Sequence, residues 1–344
     1  MKGENNFDLL RFVFAFVVFL VHAGTLTQNP SLAPLTEWLS SEIAIQGFFV
    51  ISGYLVYMSH QNSRTLQHYL QKRVRRIYPA YLSVIVLCAV LGAALTTRDI
   101  GNYVSSDLVK YLAANLLFLN FLAPGLPGVF ESNSLQVVNG ALWTLKIEVM
   151  FYLSVPLIAW AMRRCGHALT LSLLYAASLL YSLSMEHLHA ASGRAIFEIL
   201  ARQLPGQLTY FVAGMALYHW RDALPRLRWW SLPALLVLWL VRDPALRLAL
   251  APAALAVLVI TVAVAFRSLG NFGRYGDLSY GVYIVHFPLL QTMIALNLFP
   301  PDGFQGLVVA AALVISTAFL SWHLIEKRWL QKSSHYVMAA AHGA

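Results

Sequence analysis

FDLLRFVFAFVVFLVHAGTLTQ, running from Phe7 to Gln28, decides the fold. Its apolar run is interrupted only by Asp8, Arg11 and His22 before it fades into threonine and glutamine. That is the length of about 20 apolar residues that a helix needs to cross a hydrocarbon core of about 30 Å. Phe7 to Val21 has the look of a signal-peptide h-region. However, Arg11 falls inside it, Glu4 and Asp8 precede it, and no small-x-small cleavage site follows, so it reads as a retained first helix. Runs of the same kind recur at Glu42 to Met58, Tyr78 to Thr97, Ala141 to Met162, Ala168 to Met185, Pro205 to His219, Trp229 to Val241, Arg247 to Phe266, Leu278 to Leu298 and Phe304 to Ile325. The composition agrees: 344 residues are 59% hydrophobic and 11% charged, with a mean hydropathy of +0.63. Soluble domains carry roughly 45 to 50% apolar and about 25% charged residues. The expected fold is all-α, a polytopic membrane bundle of about ten transmembrane helices. Residues 1–344 form one domain, with little left for a soluble catalytic module, so any chemistry lies among the helices and their short loops.

The net charge of +9 is a topology signal. With the N-terminus inside, the inner segments hold sixteen lysines and arginines, from Lys2 through the Arg64 to Arg76 loop to Arg267, Lys327 and Lys332. The outer segments hold six: Arg98, Lys110, Arg194, Arg202, Arg242 and Arg247. Such a bias puts both termini in the cytoplasm and gives nucleic acid no role. The stretch Leu108 to Leu122 sits between Pro and Gly clusters and reads as a helix lying in the outer interface. Cys88 and Cys165 are the two cysteines, too few for a disulfide framework or a cysteine metal site. His187 and His189 fall in an expected outer loop without acidic or cysteine partners and give no metal site. Soluble-enzyme motifs such as G-x-S-x-G, H-E-x-x-H and a phosphate-binding glycine loop are missing from the sequence.

Ionisable residues inside the spans are more informative, because each costs about 2.5 to 3.5 kcal/mol at a helix centre and needs a partner or a purpose. Arg11 and His22 are eleven residues apart, three turns plus about 20°, and so line one stripe about 16 Å long. Taken singly, Arg11 could snorkel or pair with Asp8, and His22 could be a buried hydrogen-bonding residue. Glu148, expected about 10 Å below the outer surface, lies near the depth of His22, where a carboxylate can orient an imidazole for general base work; alternatively it neutralises Lys146. Arg73 and Arg76 form a paired patch suited to a phosphate-bearing ligand, although topology alone accounts for most inner arginines. Ser279, Tyr283 and His286 share one face of the ninth span, with Glu326 at the inner end of the tenth; interhelical hydrogen bonding is the common fate of such residues. In Gln46 to Tyr54 the small residues permit close packing, and Ser52 reads more readily as a packing hydroxyl than as a nucleophile.

Together these segments resemble the acyltransferase-3 family of integral membrane acyltransferases. Arg11 and His22 match its R-x10-H motif, GFFVISGYL (Gly47 to Leu55) its FFxISGF segment, and Arg73 to Arg76 its RxxR loop. LWTLKIEVMFY (Leu142 to Tyr152) is similar to its W-S-L-x-x-E-x-x-F-Y segment, and SYGVYIVH (Ser279 to His286) to S-Y-x-x-Y-x-x-H. The resemblance runs from about Asp8 to Glu326. Tyr54 stands where Phe is usual, and Lys146 where the residue is usually small or uncharged. The resemblance implies that His22 is the catalytic histidine, with Arg11 as its partner and Glu148 as the motif carboxylate. It also implies that Arg73 and Arg76, with Ser52, Tyr283 and His286, meet the acyl donor. Some members carry a further esterase-like domain, which is not expected here. The implied activity is O-acyl transfer at the cell inner membrane without a metal. The donor is acetyl-CoA or another acyl-CoA, the acceptor a hydroxyl of a cell-surface or lipid-linked glycan, and membrane lipids surround the enzyme. Direct transfer and an acyl-histidine intermediate both fit. A transporter or flippase also places paired charges at mid-membrane, and a structural membrane subunit would not need His22 and Arg11 on one stripe.

Overall fold

The computed structural model describes residues 5–266, 269–270 and 272–330; Lys2, Arg267 and Lys332, counted above for orientation, and Glu4, named in the signal-peptide reading, lie outside them. The longer helices are α1 (Phe7–Thr27), α2 (Ser41–Gln61), α3 (Leu66–Leu95), α4 (Ser106–Leu116), α5 (Trp143–Cys165) and α6 (His167–Ser192), followed by α7 (Ala195–Ala201), α8 (Leu204–His219), α9 (Ser231–Leu240), α10 (Pro244–Val264), α11 (Leu278–Ala295) and α12 (Gly303–Ser321). No strand occurs among the described residues. Among the described residues, eight helical segments are long and apolar enough to cross a membrane: α1, α2, α3, Gly140–Cys165, α6, α10, α11 and Gly303–Trp329. The protein is an all-α polytopic membrane bundle. The two shortest expected spans are α8, with 16 residues, and α9, with 10. At 1.5 Å per residue α9 is about 15 Å long, roughly half a hydrocarbon core.

Three boundaries differ from the sequence reading. α3 starts at Leu66, so the expected inner loop from Arg64 to Arg76 is largely helix, and Pro79 lies inside that helix. The segment LQHYLQKRVRR is rich in strong helix formers, and a hydropathy reading records only the apolar part of a helix that runs on past it. α6 likewise continues to Ser192, which places His187 and His189 on its last turns, and Gly193 closes it in the left-handed conformation (φ 65°). The helix expected at Leu108 to Leu122, α4, instead runs Ser106–Leu116; its 11 residues make it about 16 Å long, too short to span.

The chain divides into two compact units. The first comprises Met1–Leu10, Ile45–Leu70 and Ile147–Asn271, and the second Arg11–Ala44, Gln71–Lys146 and Phe272–Ala344. In the first, α8 packs on α6 and α10, and α9 on α10. Here α2 and α8 approach backbone to backbone: a Cβ on Gly53 would stand 2.0 Å from the Phe211 carbonyl oxygen, and one on Gly214 would stand 2.1 Å from that of Val50. The small residues of the GFFVISGYL segment thus permit the close packing expected of them. Phe151 stacks on Phe211 at 4.2 Å beneath this crossing. In the second unit, α11 is the central element, and most of its residues are buried. It packs along α12, where Gly281 leaves room for Ala318.

Candidate active site

The second unit holds two polar clusters, one at each end of a shared track between α1 and α11. At the start of α11, Asp277 is its N-cap: Oδ1 accepts the Ser279 backbone N–H at 3.2 Å and also the Ser279 hydroxyl. Oδ2 accepts from both Arg11 on α1 and Arg76 on α3. Arg76 also reaches Glu326 at 3.4 Å, and its guanidinium lies 5.7 Å from the Tyr280 ring and 5.8 Å from the Trp322 ring. Glu326 closes a π-helical turn, Trp322–Glu326, and accepts the Ser321 hydroxyl at 3.1 Å. Gly276, the residue before the cap, has φ +108°, and a Cβ there would lie 2.1 Å from the Trp322 ring nitrogen, so only glycine lets the indole seat against this turn. The side chains of Asp277 and Glu326 are each 1% exposed. Two guanidiniums face two carboxylates, and removal of either sign would leave buried charge uncompensated.

Nine residues further along α11, and eleven further along α1, the partners are imidazoles. The contacts advance in the same sense on both helices, so α1 and α11 run parallel. His22 Nδ1 lies 2.8 Å from His286 Nε2, with the rings 15° from parallel. His286 Nδ1 is 3.1 Å from the Val282 carbonyl oxygen, which can only accept, so that nitrogen carries a proton. With both rings neutral, His286 Nε2 is then an acceptor and His22 Nδ1 its donor, which leaves the lone pair on His22 Nε2. No hydrogen bond reaches that nitrogen among the described residues. Phe287 meets the His22 ring edge-on at 5.4 Å, and Phe19 and Tyr283 meet the His286 ring at 6.4 and 5.9 Å.

The segment entering α5 is strapped to the same part of α11. The Asn139 side chain donates to the Ile284 carbonyl at 2.8 Å, the Thr144 and Tyr283 hydroxyls are 2.7 Å apart, and Gly140 lies under the Phe287 ring. Lys146 sits 4.8 Å from the centre of the Phe121 ring, a cation–π contact in place of the ion pair with Glu148 considered from the sequence. In the first unit, Glu148 accepts the hydroxyls of Tyr152, one turn on, and of Ser52 at 3.3 Å; the Tyr69 hydroxyl braces the Tyr152 carbonyl at 2.8 Å.

The structure therefore brings together Arg11 with Arg76, His22 with His286 and Tyr283, and Ser52 with Glu148. Arg73 is half-buried on α3, three residues before Arg76. The residue that sequence reasoning missed is Asp277, which no motif or span reading singled out. An aspartate two positions before a serine, at the head of an apolar run, is a helix-cap signal that could have found it. Its 266-residue separation from Arg11 hid the ion pair. Among the described residues no group of three His, Cys, Asp or Glu is placed to hold a metal ion.

A bundle of membrane helices that encloses a charge-balanced arginine cluster and an imidazole with an open lone pair has the parts of a membrane-embedded group-transfer enzyme. A family model described as an acyltransferase domain matches residues 4–326, and the chain belongs to that family, acyltransferase-3. It is a multi-pass membrane acyltransferase. It is similar to an "O-acetyl transferase" of Shigella phage Sf6, 28% identical over 97% of this chain and 98% of the relative. It is also similar to "Nodulation protein 10" of Rhizobium leguminosarum bv. viciae, 28% identical over 94% of this chain and 92% of the relative. "Acyltransferase MdmB" of Streptomyces mycarofaciens is 26% identical over 43% of this chain and 37% of its own length. No solved structure matches the chain.

Proposed function

We propose that this enzyme transfers an acetyl group from cytoplasmic acetyl-CoA to a hydroxyl of a cell-surface or lipid-linked glycan at the outer face of the inner membrane, with both termini in the cytoplasm. The observation that carries the reading is the imidazole pair, which leaves His22 Nε2 as a directed base in an apolar setting. The acceptor hydroxyl gives its proton to Nε2 as its oxygen attacks the thioester carbonyl. The C–S bond breaks, and the departing thiolate takes the proton from the imidazolium and leaves as CoA thiol. His286 positions the His22 ring and fixes its tautomer, the part that the sequence alone suggested for Glu148. Glu148 instead gathers the Ser52 and Tyr152 hydroxyls. Arg11 and Arg76 meet the donor as a pair already balanced by Asp277 and Glu326, so they shape the donor's path more than they neutralise its phosphates; Arg73 is assigned to those phosphates. Support for acetyl and for oxygen as the acceptor comes from the phage relative, named an O-acetyl transferase, which aligns from end to end.

The test is purified protein with radiolabelled acetyl-CoA and membrane glycolipid, wild type against His22→Ala and His22→Gln. Loss of a general base costs about 10² to 10⁴ in rate, so both variants should bind acetyl-CoA yet transfer little. Full transfer by the alanine variant, or failure of the wild type to bind acetyl-CoA, would defeat the reading.

A further inference from the structure

In the first unit, the α2–α3 turn and the C-terminal half of α5 border an open cavity of about 590 Å³ that the acyl-transfer reading does not use. Its polar wall carries Arg64, Arg163 and His60, and its apolar wall Pro156, Leu157 and Trp160. Neither arginine forms an ion pair or hydrogen bond among the described residues, and no carboxylate lines the cavity. Nδ1 of His60 is buried and without a hydrogen-bond partner, although the ring is held edge-on by Tyr69 at 5.2 Å. The contrast with Arg11 and Arg76 is sharp, since those guanidiniums each have an internal carboxylate. Two unmatched cations and a ring nitrogen with an unmet bond, converging on one space, are complementary to an anion with several acceptor oxygens.

The apolar wall selects the anion's source. Leu157 is 69% and Trp160 56% exposed on α5, one of the helices able to cross the membrane. Side chains this apolar and this open belong against acyl chains, and a tryptophan at the end of a spanning helix belongs at headgroup level. A soluble anion has no use for such a wall, whereas a phospholipid lays its glycerol and chains along it while its phosphate enters between the arginines. Basic pockets between membrane helices at this level are a known physical solution for anionic headgroups.

We propose that this cavity binds the phosphate-bearing headgroup of an anionic phospholipid from the leaflet on the side of the α2–α3 turn. The probe is phosphatidylglycerol, with phosphatidylcholine, inorganic phosphate and coenzyme A as comparison arms. Full-length protein in detergent is titrated with each and read by native mass spectrometry for retained adducts and by melting temperature. The wild type should retain one phosphatidylglycerol in preference to phosphatidylcholine. The Arg64→Gln, Arg163→Gln double variant should lose at least about tenfold in that affinity. An Arg164→Gln, Arg226→Gln variant removes the same charge from other exposed positions and should keep the wild-type affinity. Equal loss in both double variants would reduce the effect to general surface charge and overturn the site. Tight binding of phosphate or coenzyme A without phosphatidylglycerol would overturn the lipid assignment. Because the readout is binding, it stands or falls separately from acetyl transfer by His22.

Discussion

The two ends of the α1–α11 track solve opposite problems with similar means. At the Asp277 end, four charged side chains meet and cancel, every strong donor is matched to a carboxylate, and the arrangement is closed. At the His286 end, two uncharged rings form a directional chain, Val282 carbonyl to His286 to His22, which ends in a nitrogen with no hydrogen-bond partner among the described residues. The first geometry suits holding helices in register. The second suits chemistry, because a base must keep its lone pair unused until substrate arrives. An arginine on the same stripe as a candidate base can serve the packing of helices alone.

Damage at the two ends should therefore be read by different instruments. The largest effect is expected from Asp277→Ala, which leaves Arg11 and Arg76 without their shared carboxylate. Breaking a buried pair in this way costs about 3 to 5 kcal/mol, seen as a large fall in melting temperature or loss of the monodisperse peak in detergent. A variant that melts like wild type would remove the structural reading of the cluster. Next comes His286→Phe, which fills the space yet cannot accept from His22. It should melt close to wild type but transfer about 10² more slowly, whereas His286→Gln, which keeps an acceptor, should recover part of the rate. Equal rates for Phe and Gln would mean that the second ring does not direct the first. A smaller loss, about 1 to 3 kcal/mol, is expected for Arg76→Lys, since an ammonium cannot fork between Asp277 and Glu326; calorimetry should register it. Least affected should be Thr144→Val. It gives up the bond to the Tyr283 hydroxyl for about 1 kcal/mol, with less than a tenfold change in rate, and a larger kinetic effect would extend the reactive end as far as α5.

The membrane class, most helix positions and the pairing of Arg11 with His22 on one face were legible because hydropathy and the 3.6-residue period are local properties. What the sequence withheld was partnership. Asp277 is an ordinary cap on paper and becomes the centre of a cluster only when α1 and α3 arrive beside α11. The Lys146 to Glu148 spacing suggested an ion pair, but positions two apart on a helix point away from each other, and each side chain found an aromatic or hydroxyl neighbour instead. The RVRR segment looked like a loop because its charges broke the apolar run, while its intrinsic helix propensity, a weaker signal, proved decisive.

The π-helical turn from Trp322 to Glu326 has a consequence for how this end of the protein can vary. A π turn is an α-helix carrying one surplus residue, so everything beyond it is rotated by about 100° from where an uninterrupted helix would put it. That rotation is what presents the carboxylate of Glu326 to Arg76 while Trp322, four residues earlier, covers the turn at Gly276. The segment thus absorbs one residue of length. Deleting Leu324 alone would remove the surplus residue and restore regular winding with Glu326 still turned toward Arg76, whereas one residue inserted there would swing the carboxylate away by about 100°.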